Sequence, residues 1–255
     1  IGTSAEIGLL GKVFNIKSII VNEDDWDQVI LFSLIAYPFS NIILAPNICK
    51  VGFWKYKKES YQGYHELAYL APDYFKPNKD FIKHLFNRSE KYFIIRCAKL
   101  NAHHDLGKSG ITNELLREII SILNLYGKVY ISSERNLPSD LSDKIIPINP
   151  TQMHHAIFYS SLYIGDSQTM AAESAVLGTP SIRYNDFVGK LGYLNELENR
   201  YKLTFGFDTK NKKDFINKIK ELAKLPDKNI FIKRRKTMLK EQIDLNEKIV
   251  ELLNA

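Results

Sequence analysis

Hydrophobic positions along this chain alternate between two periods. Short runs at 17–21 (KSIIV), 41–45 (NIILA), 91–98 (KYFIIRCA), 128–133 (KVYISS), 162–166 (LYIGD) and 180–184 (PSIRY) are almost continuous in Ile, Val and Tyr. Each is bounded by polar or turn residues, which predicts strands buried on both faces. The stretches 144–148 (KIIPI) and 203–207 (LTFGF) read the same way. Between them, apolar residues recur near helical spacing, as with Leu115, Ile119, Ile122 and Leu123 in a helix predicted over 113–127 that stops at Gly127. Further helices are predicted at 26–37, 79–86, 151–160, 168–177, 189–200, 211–224 and 228–253. Strands separated by helices predict parallel sheets with right-handed crossovers. The opening IGTSAEIGLLGK reads as a strand end running into a helix, so upstream strands are expected outside this sequence. The rhythm breaks over 51–79, which is rich in Gly, Pro and aromatics. A junction is therefore expected at 87–90, between a partial N-terminal domain (1–87, the acceptor side) and a C-terminal domain (88–255) whose last helix packs back toward the first.

Composition narrows the class. Of 255 residues, 45% are hydrophobic and 25% charged, a globular balance. The longest apolar run, Val29–Phe39, is interrupted by Ser33 and Pro38 and is too short for a membrane span. Cys49 and Cys97 are the only cysteines, which is no disulfide framework and points to a reducing cytoplasm. The net charge of +6 is concentrated at the C-terminus: positions 208–255 hold 13 Lys/Arg and 8 Asp/Glu. The run KRRK (233–236) reads as a solvated helix face, or more sharply as a weak peripheral contact with anionic lipid at the inner face of the membrane. No nucleic-acid-binding motif accompanies it, so no nucleic-acid partner is expected.

The densest chemistry lies at the strand end YIGDSQTMAAESAVLGTPSIRY (163–184). Asp166 and Ser167 are good helix N-caps, and Gly178 with Pro180 stops the helix. In open parallel sheets, ligands collect at the carboxyl ends of strands. A helix starting there turns free N–H groups and a positive dipole end toward the ligand, which suits an anion. Ser167, Gln168 and Thr169 add side-chain donors. Glu173 lies one turn beyond Thr169 on the same face, and its carboxylate suits a ribose diol. The structural alternative is a simple cap with Glu173 at the domain surface.

GDSQTMAAESAVLGTP resembles the nucleotide-sugar-binding segment of GT-B proteins, especially the non-hydrolysing UDP-N-acetylglucosamine 2-epimerases, which read D-S-G-G-x-Q-E-E-x-x-x-L-G-x-P. Asp166, Ser167, Glu173, Leu177, Gly178 and Pro180 match; Gln168 and Thr169 replace the glycines, and Ala172 replaces the first paired glutamate. With GYHELAYL (63–70), AHHDLG (102–107), ISSE (131–134) and LENRYKL (197–203), the chain also resembles the DUF354 family over most of its length. The resemblance implies a GT-B-like α/β fold: two Rossmann-like domains with parallel sheets facing a cleft, the first incomplete. It implies a glycosyltransferase-like protein that uses a nucleotide sugar, most simply UDP-linked, as substrate rather than cofactor. The acceptor would be a glycan or a lipid-linked molecule of the cell envelope. A 2-epimerase-like enzyme and a non-catalytic nucleotide-sugar-binding module are the alternatives.

Other strand ends supply the remaining candidates. Arg96, inside a strand, needs a carboxylate or a phosphate partner. The resemblance places Ser132, Ser133 and Glu134 near the nucleotide, where the plainer reading is a turn, and it offers His103 and His104 as functional histidines. Thr151 is expected to cap a helix whose first turns hold His154 and His155, one of which faces inward; Pro150 to His154 are further candidate contacts. Glu23, Asp24 and Asp25 follow the first strand. They offer a general base, with the resemblance favouring Glu23, or a divalent-metal site, or a cap for the helix from Trp26. His65 and Glu66 form an acid/base pair or fix the linker. Arg183 faces the donor sugar. No third spaced ligand accompanies the histidines, and no metal is expected.

Overall fold

The computed structural model describes residues 1–85, 90–98 and 110–254. The chain forms two compact units: 1–68 with 189–196 and 240–255, and 69–188 with 197–239.

The first unit is built on a parallel sheet of β1 (Ile19–Val21), β2 (Ile42–Pro46) and β3 (Lys58–Tyr61), in that order. Gly2 bridges to Ile20 in parallel, so the chain enters alongside β1 and then forms α1 (Ala5–Phe14). α2 (Ile30–Ala36) connects β1 to β2 and packs with α1. One apolar cluster joins Ile20, Ala36, Tyr37, Ile43 and Val51 with Ile7, Phe32 and Trp54. A second joins Ile19, Val21, Leu44 and Tyr61 with Leu245 and Leu252 of a C-terminal helix.

Neither Asp24 nor Asp25 caps a helix from Trp26, because α2 starts only at Ile30 with Val29 at its cap. Trp26 is drawn aside instead. Its N–H donates to Lys50 O at 2.9 Å, and its ring packs on Phe53 and Trp54.

The second unit carries β4 (Tyr92–Cys97), β5 (Lys128–Ser133), β6 (Leu162–Gly165), β7 (Ser181–Tyr184) and β8 (Thr204–Phe207). They form one parallel sheet in the order β5-β4-β6-β7-β8. Tyr92, Phe93, Ile94 and Ile95 are buried, as a strand covered on both faces requires. The helices are α3 (Leu67–Leu70) and α7 (Gly192–Asn199), both shared with the first unit, and α4 (Asn113–Leu123), α5 (Met153–Tyr159), α6 (Gln168–Val176), α8 (Lys212–Ala223) and α9 (Asn229–Lys240); α10 (Leu245–Asn254) belongs to the first unit. α4 pairs with α8 and α5 with α6, the two helix layers of a doubly wound sheet. The chain steps from β4 to β5 on one side, and β6 lies on β4's other side. The topological switch point is therefore at the carboxyl ends of β4 and β6.

Three expectations are corrected. Residues 144–148 make no strand: only the bridge Ile131–Ile145 forms, and Pro147 has no N–H for a ladder. The helix expected over 79–86 is a single 3-10 turn, Lys79–Phe81. The long C-terminal helix is two helices, with the break at 241–244, where Ile243 N donates to Gln62 O.

The chain also divides earlier than 87/88, at 68/69. Residues 69–85 are fastened into the second unit. Asn78 N donates to His155 Nδ1 at 3.1 Å, Tyr159 donates to Pro77 O at 3.3 Å, and Tyr130 donates to Leu85 O.

Candidate functional site

In the second unit, the switch point is organised by Asp166. It is 3% exposed, and its carboxylate accepts from Ala98 N at 2.6 Å and Ile111 N at 3.4 Å. Ala98 follows β4 and Ile111 precedes α4, so Asp166 ties the end of β4 to the residue before Thr112, the cap of α4. Burial raises its pKa, against the pull of those two N–H donors. Ser167 is the N-cap of α6, accepting from Met170 N at 3.4 Å. Residues 171–176 are buried, which suits small side chains on an element enclosed by the fold. Gly178 ends the helix with φ +80, a conformation that favours glycine.

Gln168 does not offer a free amide. Its Oε1 accepts from Arg183 Nη1 at 3.3 Å, and its Nε2 donates to Asn185 Oδ1 at 3.0 Å. Arg183 is fully buried and ion-paired with Glu198 at 2.6 Å. Asn185 Nδ2 then donates to Asp166 O at 2.9 Å. This network makes Arg183 and Gln168 a framework beneath the turn. Thr169 is exposed at the helix start.

Glu173, 8% exposed, shares a single oxygen between two partners. Oε1 accepts from the Tyr69 hydroxyl at 3.0 Å and lies 3.0 Å from His154 Nε2. Among the described residues no hydrogen bond reaches Oε2. The rings continue outward: Tyr69 and His154 centroids are 5.7 Å apart, and Phe75 stacks on His155 at 4.8 Å. Neither Tyr69 nor Glu198 was singled out in sequence. The signals available were a charged residue inside a strand, which requires a carboxylate partner such as Glu198, and a carboxylate on a buried helix, which requires donors. Thr151 is not the cap expected before α5: Gln152 holds that position without a side-chain bond, and Asn149 caps the preceding 3-10 turn, Pro150–Gln152, accepting from Thr151 N at 3.0 Å.

Arg96 has the carboxylate its position demanded. Its guanidinium is paired with Glu134 and donates to Ser132 Oγ at 2.6 Å, across β4 and β5. Ser133 Oγ accepts from Arg135 N and donates to Arg135 O, the local turn its plainer reading describes. Arg96 is also in register with Gly165, whose missing Cβ would lie 3.0 Å from Arg96 Cβ. Arg96, Asp166, Ser167 and the start of α6 therefore share the switch point.

In the first unit, Glu23 follows β1, and its Oε2 accepts from His65 N at 3.2 Å. His65 and the buried Glu66 follow β3, so the three come to the carboxyl ends of that sheet. Burial lowers the His65 pKa, which favours the neutral ring. Asp24 is half-buried in a turn closed by Asn22. Asp25 has a structural role: it is 5% exposed and accepts from Lys50 N at 2.7 Å and Gly192 N at 2.8 Å. His103 and His104 lie outside the described residues. Among the described residues, no three His, Cys, Asp or Glu side chains gather as metal ligands would.

No family model and no curated protein matches the chain. Solved structures do match its fold. The UDP-GlcNAc 2-epimerase from Methanocaldococcus jannaschii is 15% identical with a TM-score of 0.63, over 99% of this chain and 75% of that one. MnaA from S. aureus, solved with UDP, is 14% identical with a TM-score of 0.64, over 98% and 73%. UGT89C1 from Arabidopsis thaliana, complexed with UDP, is 11% identical with a TM-score of 0.60, over 98% and 70%. The fold is thus GT-B-like, α/β with Rossmann-like parallel sheets, and is shared with glycosyltransferases and 2-epimerases alike.

Proposed function

We propose that this chain is a GT-B-type glycosyltransferase that takes its sugar from a nucleoside diphosphate, most simply UDP, and passes it to a glycan or lipid-linked acceptor in surface or cell-envelope glycan synthesis. The observation that carries this reading is the carboxyl end of β6. There the Ser167-capped N-terminus of α6 opens beside Arg96 at the switch point, with Glu173 one turn further on. The first-turn N–H groups, the dipole and Thr169 would receive the diphosphate. Tyr69 and His154 orient Glu173 through Oε1, leaving Oε2 for the ribose hydroxyls.

In the transfer, the bond between the sugar's anomeric carbon and the diphosphate breaks as the acceptor oxygen attacks. The acceptor's proton passes to a base, for which Glu23 and neutral His65 are the candidates. Charge develops on the leaving diphosphate, where the helix N-terminus would stabilise it. Structural neighbours solved with UDP or thymidine diphosphate support a nucleotide ligand for this fold. Epimerase chemistry is the weaker reading. Ala172, where the epimerase pattern has a glutamate, is fully buried, and Gln168 is committed to Arg183 and Asn185.

Titration calorimetry with UDP and other nucleoside diphosphates tests the proposal. Binding is expected, and Glu173→Gln should weaken it roughly tenfold or more, the worth of a charge-assisted hydrogen bond. Absence of binding to every common nucleoside diphosphate would sink it.

A further inference from the structure

Four tyrosines lie on strands of the five-stranded sheet: Tyr92, Tyr130, Tyr163 and Tyr184. Three of them place their hydroxyls on backbone carbonyls. Tyr92 donates to Ala156 O, Tyr130 to Leu85 O and Tyr184 to Thr209 O. Tyr163, on β6, departs from this. It is fully buried, and among the described residues its hydroxyl has no hydrogen-bond partner. A hydroxyl taken from water without a new bond is costly, so a compensating partner is called for.

The sheet aims this hydroxyl at the switch point. Tyr163 and Gly165 are two apart on β6, so they share a face. That face also carries Arg96, in register with Gly165, and Ser181, in register with Tyr163. Ser181 Oγ donates to Ala171 O, which puts α6 over the same face. Tyr163 therefore lies between β6 and α6. Its ring runs toward the carboxyl end of the strand, where a Cβ on Gly165 would meet the Tyr163 hydroxyl at 2.5 Å and Arg96 Cβ at 3.0 Å. A side chain at Gly165 would displace the hydroxyl from the strand end. Burial, the largest influence, holds the Tyr163 pKa well above the usual phenol value, and the fields of Asp166, Arg96, Glu173 and Cys97 also reach it. The group is thus a lasting O–H donor.

Arg96 leaves a second donor at this place. Its Nη1 donates to Ser132 Oγ and its Nη2 pairs with Glu134, while its Nε is buried with no acceptor among the described residues. The neighbouring acceptors are engaged elsewhere. Both Asp166 oxygens accept from backbone N–H groups, Ser167 Oγ accepts from Met170 N, and Glu173 Oε1 accepts from Tyr69. Two donors without acceptors, close to the N-terminus of the nine-residue α6, suit an oxyanion rather than a cation.

We propose that the Tyr163 hydroxyl and Arg96 Nε together receive one phosphoryl oxygen of a nucleoside diphosphate at the carboxyl end of β6. The inference rests on the diphosphate-binding proposal for the same strand end, and it adds Tyr163 as a ligand residue and Gly165 as the residue that makes room for it. Arg96 is 17% exposed and its partner Glu134 50% exposed, so the incoming diphosphate takes Arg96 from Glu134 and brings an oxygen to both donors.

Titration calorimetry of the full chain with UDP, inorganic pyrophosphate and uridine, set against Tyr163→Phe, tests the proposal. The substitution removes only the hydroxyl oxygen. UDP and pyrophosphate are expected to bind Tyr163→Phe about tenfold or more weakly, and uridine, which has no phosphate, equally well. The melting temperature without ligand should hold or rise, because no bond within the protein is lost. Equal UDP affinity in the two proteins overturns the inference and leaves the nucleotide reading standing, as does an equal loss for uridine. A lower melting temperature also overturns it, since the hydroxyl would then have a structural partner such as a buried water. Pyrophosphate binding that depends on the hydroxyl, without binding of UDP, would keep the phosphate seat and sink the nucleotide reading. If the unsubstituted chain binds neither, both fall together.

Discussion

Asp166 and Glu173 lie on the same strand–helix junction, yet their environments separate their roles. Asp166 has both oxygens committed to backbone N–H groups, those of Ala98 and Ile111. Glu173 has one oxygen committed, to Tyr69 and His154. Sequence spacing put both residues just beyond β6. It could not tell which carboxylate is spent on backbone N–H groups, because Ala98, Ile111, Tyr69 and His154 all come from distant stretches. His155 carries a consequence of the same kind. Burial, then the neighbouring His154, lower its pKa, and its Nδ1 accepts from Asn78 N, which only the neutral ring can do. The unfolded chain therefore takes up the proton first as the pH falls through about 6.5. This contribution to stability is complete above that pH and is lost below it, until the folded ring also titrates. His65, lowered by burial, adds a loss of the same sign. Urea midpoints should fall between about pH 7.5 and 5.5. His155→Phe, which keeps a ring against Phe75, should flatten that fall; an unchanged pH dependence would refute the assignment.

At the scale of elements, the strands were the most legible feature, because a parallel sheet covered on both faces needs unbroken apolar runs. The strand expected at 128–133 was found at Lys128–Ser133, and those at 162–166 and 180–184 shifted by a residue at one end. β3 (KESY) was missed, since it is polar, lies at the sheet edge and buries only Tyr61 fully. α1 was anticipated, but its orientation was not. Apolar residues at helical spacing imply an inward face, and here glycines take that face. Gly8→Ala tests this. Alanine favours a helix over glycine by about 0.5–1 kcal/mol, so an open site would be stabilised. The added Cβ would meet Ala36 O at 2.7 Å, and overpacking of that kind costs about 1–3 kcal/mol. The melting temperature is therefore expected to fall; a rise would show that α1 does not rest on α2 as closely as this.

At the scale of the whole molecule, the division of the chain is what the sequence concealed. Each unit is assembled from separated segments, and composition marks none of the crossings at 68/69, 188/189, 196/197 or 239/240. The aromatic stretch over 51–79 suggested a junction just after it, at 87–90, because it has no period. Much of it is instead ordered by side chains that reach carbonyls and rings, as Lys57, Lys58 and Phe75 do. The first unit depends on the end of the chain. Leu245 and Leu252 of α10 complete the cluster around Ile19, Val21, Leu44 and Tyr61, and Asn246 Nδ2 donates to Ala68 O at 2.8 Å. Two buried leucines alone are worth about 3–6 kcal/mol, a large share of the roughly 5–15 kcal/mol that holds a domain folded. Truncation after Lys240 removes them without taking any element of the five-stranded sheet. Hydrogen exchange on the truncated chain should then show protection lost at Ile19–Val21 and Ile42–Pro46 but kept at Tyr92–Cys97 and Leu162–Gly165. Loss at all four strands together would mean that the chain unfolds as one cooperative body, and that the second unit draws its stability from the first.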